Sequence, residues 1–157
     1  MTYQQKDFVN NLLDILKKYE VEPAEIELEI TETILIEDFA EVKAKLMLLR
    51  EHGIRISLDD FGTGFSSLSY LNGLPIDALK IDKSFVDKVC IDASTRIITE
   101  TIVTMVNKLG YETIAEGVEK EEQFTYLKEI GCGIIQGFLF GKPLPPEEIE
   151  QLLIKLL

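Results

Sequence analysis

The chain has no tryptophan, a single histidine and only two cysteines among its 157 residues. One histidine, His52, leaves no convincing Ser/His/Asp or Cys/His relay. It stands where a helix is expected to end, and a donor there caps carbonyls. Cys90 and Cys132 lack metal-ligand spacing and read as reduced thiols of a cytosolic protein, not as a disulfide. Basic residues are scarce as well. Sixteen Lys and Arg face 28 Asp and Glu, for a net charge of −12, which excludes a broad basic surface for DNA or RNA. No apolar run reaches spanning length, and the N-terminus carries no signal-peptide pattern, so no membrane role is expected within this chain. Gly62-Thr63-Gly64 fits neither the dinucleotide fingerprint nor a P-loop. Its glycines read as a mobile or sharply turned loop.

What the chain does have is apolar content, 46%, arranged in alternating periods. Asp7 to Glu20 predicts an amphipathic helix with Phe8, Leu12, Ile15, Leu16 and Tyr19 on one stripe. Ile26 to Thr31 alternates at period two, which puts Glu27, Glu29 and Thr31 on one face. Asp38 to His52 predicts a helix with Phe39, Val42, Leu46 and Leu49 inward, stopped at Gly53. Short strands follow at Arg55 to Asp59 and Ala78 to Ile81. A helix is expected from about Ser94 to Leu109, its apolar face made by Ile98, Ile102, Met105 and Leu109. Then come a strand at Thr113 to Glu116, a helix at Lys120 to Ile130 and a strand at Gly133 to Gln136. A last helix is opened by Pro145 and Pro146, with Glu147 and Glu148 in its first turn. Strand and helix alternate five times behind an extra helix. The pattern predicts an α/β protein with about five parallel strands flanked by helices.

Polar residues recur where these strands end: Glu29, Asp59 with Asp60, Lys80, Glu116 and Gln136. Each alone has an ordinary explanation, such as a solvated strand face, an Asp-rich turn or a counter-ion. Glu119 equally suits a helix N-terminus. As a set they occupy equivalent positions in consecutive strands. Residues gathered at the C-terminal ends of βα units suggest a TIM-type barrel, here incomplete, because five strands cannot close one of eight and such barrels typically need ~250 residues. One lysine is too few for this many acids. Carboxylates buried at strand mouths call for a divalent metal, which points to phosphate chemistry. A Schiff-base lyase using Lys80 is the alternative that the residues alone leave open.

The segments ELEITET, LDDFGTGFSSLSYL, LKIDKSF, IAEGVE and IIQGFLFGKPLP resemble, in order and spacing, those of the EAL domain, the bacterial phosphodiesterase family that hydrolyses cyclic di-GMP. The resemblance covers nearly the whole of residues 1–157 as a single domain. It implies two-metal hydrolysis of one phosphodiester to give pGpG, with Mg²⁺ or Mn²⁺ as the ions. By resemblance, Glu29, Asp59, Asp60 and Glu116 are metal ligands, and Lys80 holds and helps activate the attacking water. Glu116 and Glu119 join Lys80 in the catalytic set, with Glu119 and Gln136 orienting waters and substrate. Glu32 braces the loop from Asp60 to Ser67, including Phe61, Gly62, Thr63 and Gly64, and in the family this loop couples dimerisation to the site. Phe65 stands where tyrosine is frequent.

The family's Glu-Ala-Leu strand and its asparagine strand, each with a metal ligand, have no counterpart in this chain. The expectation is a truncated domain with weakened metal binding, since even outer-shell losses cost ~10–100-fold, and hence a poor catalyst by itself. A non-catalytic remnant that binds ligand or dimerises is the alternative. Cyclic di-GMP is the expected partner, in the bacterial cytoplasm. An unpaired edge at Ile26 to Thr31 also predicts self-association, with strand or helix exchange between copies.

Overall fold

The computed structural model describes residues 8–34, 39–62 and 71–156. Helix α1 (Phe8–Lys18) and a short 3-10 turn (Pro23–Glu25) lead into strand β1 (Glu27–Thr31). Then follow α2 (Phe39–Glu51), β2 (Arg55–Phe61), β3 (Ala78–Ile81) and the single-turn α3 (Lys83–Val86). The chain continues through α4 (Ala93–Lys108), β4 (Glu112–Ala115), α5 (Glu121–Glu129), the two-residue β5 (Ile134–Ile135) and α6 (Pro146–Leu156). All five strands are parallel and lie in the order β1-β2-β3-β4-β5. A doubly wound sheet reverses its strand order at a switch point. This sheet never reverses, which is how barrel strands run.

Register divides the side chains between two faces. Leu28, Ile56 and Ile30, Leu58, Leu79 are aligned neighbours on the outer face. They pack with Val42, Leu46 and Leu49 of α2 and Ile102, Val103 and Val106 of α4 to form the main core. Glu27, Arg55 and Glu29, Ser57, Ala78 align on the inner face, and Lys80 aligns with Ile114. A smaller cluster of Val86, Ala115, Val118, Leu127 and Cys132 closes the far end.

Several expected boundaries and faces move. Strand β2 continues two residues past Asp59, through a register irregularity between Leu58 and Phe61. Phe61 is therefore the buried last residue of the strand and not the first of the loop. On α4 the inward stripe is Thr99, Ile102, Val103 and Val106. Ile98 and Leu109, expected inside, are exposed. Thr99 can be buried because its hydroxyl donates to the Thr95 carbonyl at 2.9 Å, so no polar group is orphaned. On α1, Leu16 is buried as expected while Ile15 is exposed, and Tyr19, just past the helix end, is exposed too. His52 Nδ1 donates to the Leu48 carbonyl at 2.8 Å, as a helix-end donor should. Both cysteines are free. No helix among the described residues is long and apolar enough to cross a membrane.

Candidate active site

The parallel register places Glu29 on β1, Asp59 on β2 and Lys80 on β3 on the inner face near the C-terminal ends of their strands. Glu116 follows the last residue of β4, and its amide continues the ladder by donating to the Ile81 carbonyl at 3.1 Å. The four side chains meet. Lys80 Nζ donates to Glu29 Oε1, lies 2.8 Å from Glu116 Oε1 and 3.8 Å from Asp59 Oδ1. Only 5% of the Lys80 side chain is exposed, against 52% for Glu29, 21% for Asp59 and 22% for Glu116.

Burial alone would lower the Lys80 pKa. The hydrogen bonds to Glu116 and Glu29 and the charges of Glu116 and Asp59 outweigh it and hold the ammonium well above the ordinary lysine range. A Schiff-base lysine needs the opposite shift, because only the free amine attacks a carbonyl. The raised pKa of Lys80 argues against the lyase alternative.

Three carboxylates against one ammonium leave an excess of two negative charges. The donors are hard oxygens, the type that Mg²⁺ and Mn²⁺ prefer. The donor set therefore fits a divalent ion. In this structure the common centre of the carboxylates is the Lys80 nitrogen, and among the described residues no three Asp, Glu, His or Cys side chains form a metal-holding group by themselves.

The remaining candidates lie around this centre. Asp60 has φ +57 and is exposed, and its amide donates to Asp59 Oδ1 at 2.9 Å. That left-handed residue sits within the register irregularity between Leu58 and Phe61. Glu119 does not reach Lys80. It pairs with Lys83 at 2.8 Å. Gln136 is joined to β4 through its backbone, its amide donating to the Ala115 carbonyl at 2.9 Å and its carbonyl accepting from the Val118 amide at 3.0 Å. Its exposed side chain is left available at the strand end. The close approach requires Gly137, where a Cβ would lie 2.1 Å from the Val118 carbonyl oxygen. Glu32 follows β1 directly and is half-buried. Gly62 turns the chain at φ +94. Thr63, Gly64 and Phe65 lie outside the described residues.

Two residues near the site carry no sequence signal. Ser57, between Arg55 and Asp59 on the inner face, is fully buried, and its hydroxyl has no hydrogen-bond partner. Lys83 reaches across to the loop after β4. The first reads as an ordinary strand residue and the second as an ordinary surface lysine.

The sequence profile of the EAL domain matches residues 1–143. The chain belongs to the EAL domain family. Among curated relatives, this EAL domain is 46% identical over 153 residues to the signaling protein YkoW of Bacillus subtilis, covering 98% of the chain and 19% of YkoW. It is 43% identical over 128 residues to the cyclic di-GMP phosphodiesterase NbdA of Pseudomonas aeruginosa, covering 82% and 16%. The chain thus spans about a fifth of the length of these relatives. Among solved structures, the c-di-GMP complex of the phosphodiesterase PaMucR superposes with a TM-score of 0.87 at 38% identity, over 93% of this chain and 59% of that one. The manganese/cy-diGMP complex of Klebsiella pneumoniae BlrP1 does so with 0.81 at 35%, over 90% and 36%. With these neighbours the five-stranded sheet is placed as part of a TIM-type barrel.

Proposed function

We propose that this EAL domain carries one part of a metal-dependent cyclic di-GMP phosphodiesterase site, for hydrolysis to pGpG in bacterial second-messenger signalling in the cytoplasm. The observation that carries this reading is the convergence of Glu29, Asp59 and Glu116, from three different strands, on the buried Lys80 ammonium. Relatives named as cyclic di-GMP phosphodiesterases and neighbours solved with cyclic di-GMP and manganese support it.

Glu29, Asp59, Asp60 and Glu116 are the residues that would hold Mg²⁺ or Mn²⁺. When bound, such ions neutralise phosphate charge and make water a competent nucleophile at neutral pH. The chain's own residues do the rest. Lys80, its pKa raised by the carboxylates around it, can donate hydrogen bonds to a water or a phosphate oxygen. Its three carboxylate partners fix its direction. Gln136 presents an amide at the adjacent strand end, where it can orient substrate. Glu32 and the segment Phe61-Gly62-Thr63-Gly64 would couple self-association to the site.

Among the described residues β1 lies at an edge of the sheet, and Glu29 on it is half exposed. This favours weak metal retention and low turnover by the chain alone, and self-association through the open edge. It also sustains the second reading, a ligand-binding or dimerisation module without turnover. Calorimetric titration of Mn²⁺ with and without cyclic di-GMP, paired with product analysis for pGpG, tests the proposal. Metal-dependent ligand binding that Asp59→Asn abolishes is the expected result. Fast Mn²⁺-dependent hydrolysis by the chain alone would overturn the expectation of poor catalysis, and no metal binding at all would overturn the site.

A further inference from the structure

The β3–α3 turn and the loop from β4 to α5 are joined by two ion pairs of equal spacing. Lys80 meets Glu116 at 2.8 Å, and three residues further along both segments Lys83 meets Glu119 at 2.8 Å. The inner lysine is buried and the outer one half exposed. An exposed pair by itself contributes little. What distinguishes Lys83 is its stem. It crosses directly over Gly117, where a Cβ would lie 2.5 Å from Lys83 Cγ and 2.6 Å from Cδ. Gly117 has φ +70, so glycine is required there for both space and conformation. The Lys83 ammonium also donates to the Gly117 carbonyl at 3.4 Å and to Asp87 at 2.9 Å.

Gly117 immediately follows Glu116. Whatever holds its backbone down sets the direction in which the Glu116 side chain leaves the strand. The far end of the loop is held separately. Gln123 Oε1 accepts from the Glu119 and Lys120 amides, each at 2.9 Å, and Gln123 Nε2 donates to the Val86 carbonyl at 3.1 Å. Between these ties Val118 is bonded through its backbone to Gln136 and Leu139, and the three atoms nearest a Cβ at Gly117 all belong to Lys83.

We infer that Lys83 is a positioning residue: its stem on Gly117 and its charge on Glu119 keep Glu116 directed at the centre of the site. The effect on Glu116 follows from the fold, whereas any effect on metal rests on the phosphodiesterase reading. The test uses the full chain with Lys83→Ala, Lys83→Met, Lys83→Arg and Asp87→Asn. Amide hydrogen exchange at Glu116, Gly117 and Val118 is measured without metal, Mn²⁺ binding is measured by electron paramagnetic resonance, and thermal midpoints serve as a control. Lys83→Ala should speed exchange at the three amides about tenfold, as expected for local opening. It should weaken Mn²⁺ binding about tenfold, the scale of a lost outer-shell contact. Lys83→Met keeps the stem and should fall between, while Lys83→Arg should match the unsubstituted chain. Asp87→Asn weakens only the pair between Lys83 and Asp87, the residue after α3, and should match it too.

The inference is overturned if Lys83→Ala leaves exchange within twofold, if Asp87→Asn reproduces its effect, or if Lys83→Arg fails to restore protection. If Lys83→Ala unfolds, the Met and Arg variants carry the same comparison. Accelerated exchange in a chain that binds no Mn²⁺ would sink the phosphodiesterase reading and keep Lys83 in its role. Mn²⁺ binding with unmoved exchange would do the reverse.

Discussion

The inner face of the sheet carries a cation at each end, and the two are built differently. At the N-terminal end Arg55 of β2 lies 3.4 Å from Glu27 of β1 and 2.8 Å from Glu112 of β4, with 47% of its side chain exposed. At the C-terminal end Lys80 faces three carboxylates and is almost fully enclosed. The guanidinium fork can stitch several strands at once and keeps much of its hydration. It needs no further explanation than joining strands. An ammonium is strongly hydrated and costly to bury, and a surplus of carboxylates around it adds repulsion. Strand joining does not require such an arrangement. The difference sets a strand-joining ion cluster apart from the one that we propose serves chemistry, although both use the same residue types.

The largest expected effect that would break this contrast is at Lys80. Lys80→Met leaves three carboxylates without their cation and should cost about 2 kcal/mol in urea unfolding at pH 7. This is less than the ~3–5 kcal/mol of a fully buried orphan, because water reaches Glu29. Added Mn²⁺ should return part of that loss to the variant. A loss that Mn²⁺ cannot relieve would mean that the carboxylates are not available to a cation. Arg55→Ala, by comparison, should cost under about 1 kcal/mol, be masked by salt and leave Mn²⁺ binding unchanged. A larger cost together with lost metal affinity would erase the distinction.

The pH dependence sharpens it further. The folded-state pKa of Lys80 is raised above its unfolded value, so its stabilisation is fully present below about pH 10.4 and is lost only as pH rises through the folded value. The stability gap between the chain and Lys80→Met should therefore stay flat through neutral pH, apart from carboxylate titration in acid, and narrow in strong alkali. A gap that closed between pH 7 and 9 would show an uncharged Lys80. The smallest effect is expected midway between the clusters. Ser57→Ala removes a buried hydroxyl that has no partner, and should be neutral or stabilising by up to about 1 kcal/mol. Loss of metal affinity in that variant would show instead that the hydroxyl serves a bound group.

The strands were the most legible part of the sequence, since period-two alternation and the strand-end acids both report backbone pairing. Glu29, Asp59, Lys80 and Glu116 share a centre because parallel register aligns strand ends. Helix faces were less legible. Helix α4 carries apolar residues around much of its circumference, so Ile98 looks as buriable as Ile102. The decision falls to the sheet, which accepts Thr99 once its hydroxyl is satisfied by Thr95. Glu119 illustrates the same limit. Sequence places it near Glu116, but it lies three residues further along the same loop, where Lys83 pairs with it. Helix α3 is a single turn begun by Asp82, whose side chain accepts from the Ser84 amide, and four residues are too few for any period to declare itself.

The unbroken strand order also governs how the molecule comes into being. Each strand docks beside the one synthesised just before it, so the sheet can assemble in the direction of translation without waiting for distant segments. Glu29 and Asp59 leave the ribosome before Lys80 does. A sheet built in that order brings acid against acid first and its balancing cation with the third strand. The third strand thus brings charge balance and a new pairing edge together, before the fourth adds Glu116.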